Sequence, residues 1–268
     1  MSHRDDIPLK LCTTACEIRY DQGYLYLDRC GQLMRILEKS LSACTEADWM
    51  PGDMKPTGAH IVCPAFGLKV IFDTTKFVVE QDNYVFGNTG NFDQVCNEAI
   101  GSILARLDIQ NLNRIGFREI KMCGQMSIDE TESLSVKTIC SNFELITRLK
   151  SKNKALWVDK ASFNATITDK DSNVSTNVNI APHYQETAPI QCDERLLQNP
   201  HSIQSNQRAV LLASLRKRKE VTKKPITGLI VDLDSFQRFP QSEIDIWNFI
   251  KNARHSHDKM AKAILEKM

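Results

Sequence analysis

Apolar residues recur at helical spacing in four segments of the chain. In the first segment, Leu33, Ile36, Leu37 and Leu41 lie three or four positions apart, as on one face of a helix. Ahead of the second segment, Asn91 and Gln94 have the spacing of a capping box, which favours a helix start at that point. The pattern predicts helices over residues 31–44, 91–107 and 130–149, and a last one from about residue 243.

Shorter segments alternate apolar and polar residues or are rich in β-branched and aromatic residues, which favours strands. The Pro- and Gly-rich residues 50–58 predict a loop, and residues 169–173 predict a hairpin turn. The segments with strand character are 17–20, 24–27, 59–64, 68–73, 76–80, 113–122, 156–168, 174–181 and 228–234.

The two halves of the chain give the same predicted order of elements: strand, helix, three strands, helix. We therefore predict an α+β fold of two β-α-β-β-β-α pseudo-repeats that share a curved antiparallel sheet. The helices would cover one face and leave the other free to bind a partner. The halves would be residues 1–110 and 111–268, or else one continuous domain, with a polar insertion at 182–225. Insertions this long are often functional.

Composition excludes several classes of protein. The chain is 42% hydrophobic and 25% charged, as in ordinary globular proteins, and its formal net charge of +1 predicts no strong general attraction to nucleic acid or membrane. The N-terminal residues lack a secretory signal and no stretch could span a membrane, so we expect a cytoplasmic protein without membrane contact. The nine cysteines form no CxxC pair, which predicts reduced thiols.

Two stretches of the chain carry a family resemblance. One is the strand Asn113-Arg114-Ile115-Gly116-Phe117-Arg118-Glu119-Ile120. The other is Val231-Asp232-Leu233-Asp234, followed by a helix with Trp247 and then His255-Ser256-His257-Asp258.

This arrangement resembles a sporadically distributed family of bacterial proteins whose middle strand is similar to Arg-Ile-Gly-Leu-Arg-Tyr-Ile-Asn. The chain departs from that family at Glu119, where the family has an aromatic residue, and at Asp258, where it has Glu. The family has no assigned activity, and its genes often lie near mobile or anti-phage defence genes. The resemblance therefore implies an accessory protein of a bacterial defence system.

Two pairs of residues could take part in metal-dependent catalysis. Asp232 and Asp234 alternate on one strand, so both carboxylates face the same way and could hold Mg²⁺, or could simply face solvent. Glu119 and Lys121 have the E-x-K spacing of a metal-dependent nuclease core, in which the acid binds metal and the lysine stabilises charge. A nuclease built on all four requires them to converge within metal-coordination distance.

Basic residues provide a second kind of candidate site. Arg114 and Arg118 lie on the strand of Glu119 and predict a charged strand face at a binding groove. A basic run in the insertion could bind phosphates without sequence preference, since it contains no aromatic residue for base stacking. The run consists of Arg216, Lys217, Arg218, Lys219, Lys223 and Lys224.

The chain contains none of the common phosphate-loop, dinucleotide, nucleophile-elbow or HExxH motifs. We therefore expect a non-enzymatic binding or adaptor protein that recognises a protein partner or a nucleic acid through the free sheet face, the insertion or both. No cofactor and no metal are predicted. The alternatives are a metal-dependent nuclease or phosphodiesterase and a sequence-independent nucleic-acid-binding protein that uses residues 216–224. The oligomeric state does not follow from the sequence.

Overall fold

A computed structural model of the protein describes residues 9–21, 23–124, 126–140, 160–185, 205–221, 226–239 and 246–266. These residues form nine strands: β1 (Leu9–Tyr20), β2 (Met50–Lys55), β3 (Gly58–Cys63), β4 (Leu68–Phe72), β5 (Lys76–Asp82), β6 (Leu112–Cys123), β7 (Phe163–Asp169), β8 (Val174–Gln185) and β9 (Ile226–Arg238). They also form the helices α1 (Leu25–Thr45), α2 (Asn83–Phe86), α3 (Phe92–Leu107), α4 (Ile128–Cys140), α5 (Ser205–Val221) and α6 (Ile246–Leu265). The predicted α+β class is confirmed.

All nine strands belong to one antiparallel sheet, in the order β2-β3-β4-β5-β1-β6-β9-β8-β7. At its centre β1 pairs with β6, from Leu9 opposite Cys123 to Tyr20 opposite Leu112. The other edge of β6 pairs with β9. Strands from the N-terminal and C-terminal parts of the chain therefore meet along β6.

Helices pack on one face of this sheet. Alternate residues of the central strands, among them Ile18, Ile115 and Phe117, point to that face and are completely buried. The ring of Phe117 packs edge-on against Phe92 of α3, with ring centroids 6.3 Å apart, and stacks on His257 of α6 at 5.5 Å. Burying an apolar side chain of this size stabilises the fold by roughly 1.5–3 kcal/mol.

The helix layer continues over both ends of the sheet. Leu33 and Leu37 of α1 belong to the same buried cluster as Ile18. Ile139 of α4 packs in a second cluster with Val231 of β9. Helices α1, α3, α4 and α6 thus lie on one face, and the opposite face is called the open face below.

The prediction of a strand over residues 24–27 is wrong, because α1 begins at Leu25. Tyr26 fixes this first turn. Its ring packs edge-on against Phe72, with centroids 6.0 Å apart, and its hydroxyl donates to the carbonyl oxygen of Lys55 at 2.6 Å. Its neighbours in the chain are at least partly exposed, which is the burial pattern of a helix rather than of a strand on a sheet.

The prediction of a loop over residues 50–58 is also wrong, because Met50–Lys55 forms β2. This strand lies at the edge of the sheet, and its register with β3 shifts between Pro51 and Met54. Proline is tolerated there because an edge strand needs hydrogen bonds on one side only. The chain therefore has four strands between α1 and α3, and α5 lies between β8 and β9, so the predicted six-element repeat is not confirmed.

The predicted helix over residues 91–107 is confirmed, but its capping box is wrong. Asn91 has helical backbone angles and makes no side-chain hydrogen bond to the helix start, and its carbonyl accepts from the amide of Val95 instead. The predicted helix over 130–149 corresponds to α4, and residues 141–149 lie outside the described residues. Of the insertion at 182–225, the described parts are the end of β8 and α5.

Among the helices described here, none combines the length and apolar character needed to cross a lipid bilayer. Eight cysteines lie in the described ranges, and all eight are free thiols. Burial raises the pKa of Cys12 to about 11, and burial also raises the pKa values of Cys63 and Cys96. A thiolate is the reactive form of cysteine, so these side chains are protected chemically as well as sterically.

We expect iodoacetamide to alkylate Cys63 and Cys96 at least about ten-fold more slowly in the folded protein than in urea, because burial blocks access of the reagent and the raised pKa lowers the fraction of thiolate. Site-resolved mass spectrometry at neutral pH measures the rates. Equal rates in both conditions would show that these thiols are exposed in solution.

Candidate functional site

The register between β6 and β9 decides which predicted residues lie together. Arg118 is opposite Asp234, and Asp232 lies on the same, open face of the sheet. Glu119 and Lys121 point to the helix side, where both are buried. The proposed metal centre of all four residues is therefore wrong, because the sheet separates its two halves. In the described ranges, no group of three or more His, Cys, Asp or Glu residues could hold a metal ion.

On the open face, Arg114 links three strands. Its Nη1 donates to Oε1 of Glu17 on β1, and its Nη2 donates to the two carboxylate oxygens of Asp234 on β9 at 3.0 and 2.8 Å. The guanidinium carbon also lies 5.0 Å from the centre of the Phe236 ring. Arg114 is thus held in one orientation by charge, hydrogen bonds and stacking.

Gly116 makes room for this arrangement. A Cβ atom at this position would lie only 2.8 Å from Nη1 of Arg114. The guanidinium therefore lies over the backbone of Gly116, two residues along the same strand. This contact gives a physical reason for the Arg-Ile-Gly order in the sequence.

Further ion pairs surround Arg114 on the open face. Arg118 binds Asp232 through two hydrogen bonds, from Nε at 2.8 Å and from Nη2 at 2.7 Å, and the hydrogen bond to Asp232 raises the pKa of the guanidinium. Arg19 donates from Nε to Glu17 at 2.8 Å. About half of the side-chain surface of Arg118 and of Arg19 is exposed, at 50% and 53%. Both guanidiniums can therefore still contact another molecule.

Four cations form a row across the open face. Lys76, Arg19, Arg114 and Arg238 are direct neighbours on β5, β1, β6 and β9. Neighbouring strands lie about 4.8 Å apart, so the row spans roughly 14 Å. Like charges directly opposite each other on neighbouring strands repel and are unfavourable. Glu17 and Asp234 neutralise part of this charge, but within the described residues Lys76 and Arg238 make no ion pair. The row, called the cationic row below, is thus only partly neutralised.

On the helix side, buried polar side chains form a continuous hydrogen-bonded chain. Nδ1 of His257 donates to Oε2 of Glu119 at 3.2 Å, because a carboxylate can only accept. Nε2 of His257 and the hydroxyl of Ser235 are 2.9 Å apart, and that hydroxyl is 2.7 Å from the hydroxyl of Thr176. These hydrogen bonds join α6 to β6, β9 and β8.

The order serine, histidine, acid is also that of a hydrolase triad. However, Ser235 and His257 are both 0% exposed, and the Ser235 hydroxyl is already paired with Thr176. A nucleophile must be reachable by its substrate. In this conformation the hydrogen-bonded side chains therefore act as a structural network that fixes α6 on the sheet.

An open cavity of about 460 Å³ lies beside this network. Bidentate hydrogen bonds at 2.7 and 2.8 Å join Arg254 to Asp93, and Lys121 donates to Asp258 at 2.7 Å. The charged residues that line the cavity are Asp93, Glu119, Lys121, Arg254, Asp258 and Lys262. Its apolar wall includes Leu9, Leu11 and Leu265. The cavity thus combines three acidic and three basic groups with an apolar surface.

The basic run of the insertion lies partly on α5 rather than in a loop. Arg216 is exposed, whereas Lys217 and Arg218 lie over the ring of Phe86, at 5.0 and 5.4 Å. Arg218 also forms an ion pair with Asp82 at 3.2 Å. The parts of the run that lie outside the described residues are the side chain of Lys219 and all of Lys223 and Lys224.

The sequence patterns did not indicate a role for Arg254, Asp93 or Gly116. Arg254 and Asp93 meet although 161 positions separate them, and neither belongs to a motif. Gly116 was visible only as part of the Arg-Ile-Gly strand. The one available signal is that Arg254 lies three residues before His257, on the same face of α6.

No protein-family model matches the chain, and no curated protein matches it. The resemblance carried by residues 113–120 and 231–258 therefore stays a prediction.

We expect Gly116→Ala to destabilise the protein by about 1–2 kcal/mol, because the new Cβ displaces Arg114 from its two carboxylates. Urea unfolding measures the change. Gly101→Ala is the matched control. Gly101 lies in α3 with no atom near the added Cβ, so the control should stabilise by about 1 kcal/mol. In an Arg114→Ala background the Gly116→Ala cost should disappear, and an undiminished cost would refute the proposed steric cause.

His257→Ala is expected to destabilise the protein by about 3 kcal/mol or more, because it leaves Glu119 and Ser235 buried without their shared partner. Urea unfolding again provides the measurement. His255→Ala, an exposed change two residues away on the same helix, should stay within about 0.5 kcal/mol of the wild type. Similar effects of the two changes would contradict the structural role of the buried chain.

Proposed function

We propose that the protein is a non-enzymatic binding or adaptor protein that recognises an acidic surface of a protein partner through its open face. The observation that supports this most directly is the cationic row. It places four basic side chains in a line on four adjacent, hydrogen-bonded strands. A rigid sheet holds such a row in position before any partner arrives, which lowers the entropic cost of binding.

The chemistry of the row suits carboxylates. Arginine presents a planar fork of donors that matches a carboxylate, and two of the four cations, Lys76 and Arg238, have no carboxylate partner in the described part of the chain. The half-exposed Arg118 adds a further guanidinium beside the row. Complementary charge of this kind favours the correct partner and speeds association.

Catalytic alternatives have less geometric support. The metal-dependent nuclease needs carboxylates that converge, and Glu119 lies across the sheet from Asp232 and Asp234. Hydrolase chemistry at Ser235 needs a hydroxyl that a substrate can reach, and this one is fully buried.

A second candidate function is binding of nucleic acid without sequence preference. A row of cations about 14 Å long also suits a series of phosphates, and Arg216 on α5 offers another exposed cation. The two candidates differ in whether the complex survives nuclease and how steeply it weakens with salt.

We also propose three features of the biological setting. The resemblance alone supports a role in a bacterial anti-phage defence system. The eight free cysteines support a reducing, cytoplasmic compartment. The central pairing of β1 with β6 supports a duplication of an ancestral unit, with β5 and β9 as the next strands on either side.

The test is an affinity capture from host lysate with two matched double variants. Lys76→Glu with Arg238→Glu reverses the two cations of the row that have no carboxylate partner within the described residues. Arg35→Glu with Lys39→Glu makes the same change in net charge on exposed residues of α1, on the other face of the sheet. A protein partner that resists nuclease should be lost at least about ten-fold from the first variant and retained by the second.

Equal capture by both variants would contradict binding at the cationic row. Release of the captured material by nuclease would favour the nucleic-acid candidate instead.

A further inference from the structure

The cavity on the helix side has the carboxylate of Glu119 at its wall. The Glu119 side chain is only 4% exposed and lines the cavity. Its Oε2 accepts from His257 and lies 3.4 Å from Nζ of Lys121. Its Oε1 has no hydrogen bond within the described residues, and the closest charged nitrogen, Nε of Arg254, is 3.9 Å away. Oε1 is therefore the oxygen of this carboxylate that stays open to a hydrogen bond from the cavity.

The neighbouring cations bind other carboxylates more closely than they approach Oε1 of Glu119. Both Nη atoms of Arg254 donate to Asp93, and Nζ of Lys121 donates to Asp258 at the shorter distance of 2.7 Å. The imidazole of His257 is fixed by Ser235 on its other side. Oε1 of Glu119 is therefore available to a donor that enters from the cavity.

An anion-binding group lies farther along the same cavity. Lys262 is exposed, lines the cavity and makes no ion pair within the described ranges. It lies one helical turn beyond Asp258 on α6, and a turn rises about 5.4 Å. Since Asp258 contacts Lys121 and Lys121 contacts Glu119, the carboxylate of Glu119 and the ammonium group of Lys262 are on the order of 10 Å apart.

We propose that this cavity binds a small zwitterion of dipeptide size with apolar side chains. Its ammonium group donates to Oε1 of Glu119, its carboxylate binds Lys262, and its side chains pack on Leu11 and Leu265. Three acidic and three basic groups line the cavity, so a ligand without net charge fits it better than an ion. The volume of about 460 Å³ lies within the range of small-molecule sites.

The length of a dipeptide agrees with the estimated separation. Two extended residues span about 7 Å, and a hydrogen bond of about 3 Å at each end brings the total above 10 Å. A single extended residue of about 3.5 Å leaves the same total just below 10 Å. This site lies across the sheet from the cationic row, so its test is independent of the proposed partner binding.

Isothermal titration of the full chain with leucyl-leucine tests the proposal, together with N-acetyl-leucyl-leucine and leucyl-leucinamide. The unmodified dipeptide should bind with one-to-one stoichiometry. Removing the ammonium charge in the acetylated form, or the carboxylate in the amide, should each weaken binding at least about ten-fold. Absence of saturable binding at millimolar leucyl-leucine overturns the proposal.

Two variants assign the two ends of the ligand. Glu119→Gln should weaken leucyl-leucine at least about ten-fold and remove the preference over its acetylated form. Lys262→Ala, an exposed change that leaves the core intact, should remove the preference over the amide. Lys259→Ala, on the same helix but outside the cavity lining, is the control and should bind like the wild type. Unchanged affinity in Lys262→Ala overturns the assignment even if Glu119→Gln fails to fold.

Discussion

The alternation of side chains along β6 is the constraint on which both charged surfaces depend. Because successive residues of a strand point to opposite faces, Arg118 and Glu119 are chain neighbours that belong to different environments. Arg118 joins the ion pairs of the open face, and Glu119 joins the buried chain beside the cavity. A shift of one residue in the pairing of β6 would exchange the two sets and bury the arginines.

The buried series of hydrogen-bonded side chains helps to fix the register of β6. Glu119, His257, Ser235 and Thr176 lie on four different elements, and their hydrogen bonds fit only one alignment of β6, β9, β8 and α6. Burying these groups costs free energy, and the hydrogen bonds offset it only while every member is in place. Apolar burial around Phe117 supplies the stability, and the polar chain contributes specificity.

Local patterns predicted much of this fold, and what they missed is non-local. Alternation correctly put Asp232 and Asp234 on one face, and the apolar stripe of the helix over 91–107 matched α3 closely. No local pattern tells which strand β6 pairs with or in which register, since β9 lies more than a hundred residues away. The prediction of a metal centre that combines Glu119 and Lys121 with Asp232 and Asp234 was wrong because this pairing could not be predicted.

The two misassigned segments have a different cause. Residues 24–27 have strand-like composition, but the tertiary contacts of Tyr26 with Phe72 and Lys55 favour a helical turn. Similarly, β2 forms in spite of Pro51 because pairing with β3 on one edge is enough. In both segments, tertiary contacts override local preference, and such contacts cannot be inferred from a single sequence.

The cationic row favours an extended partner over a small anion. At physiological ionic strength, exposed charges are screened beyond about 8 Å, whereas the row is roughly 14 Å long. A single small anion therefore interacts strongly with only part of it. Glu17 and Asp234 also compete for the two central arginines, which lowers the affinity for any isolated anion. An acidic surface that follows the row can reach Lys76 and Arg238 at its two ends together, and neither of these cations has a carboxylate partner in the described part of the sheet.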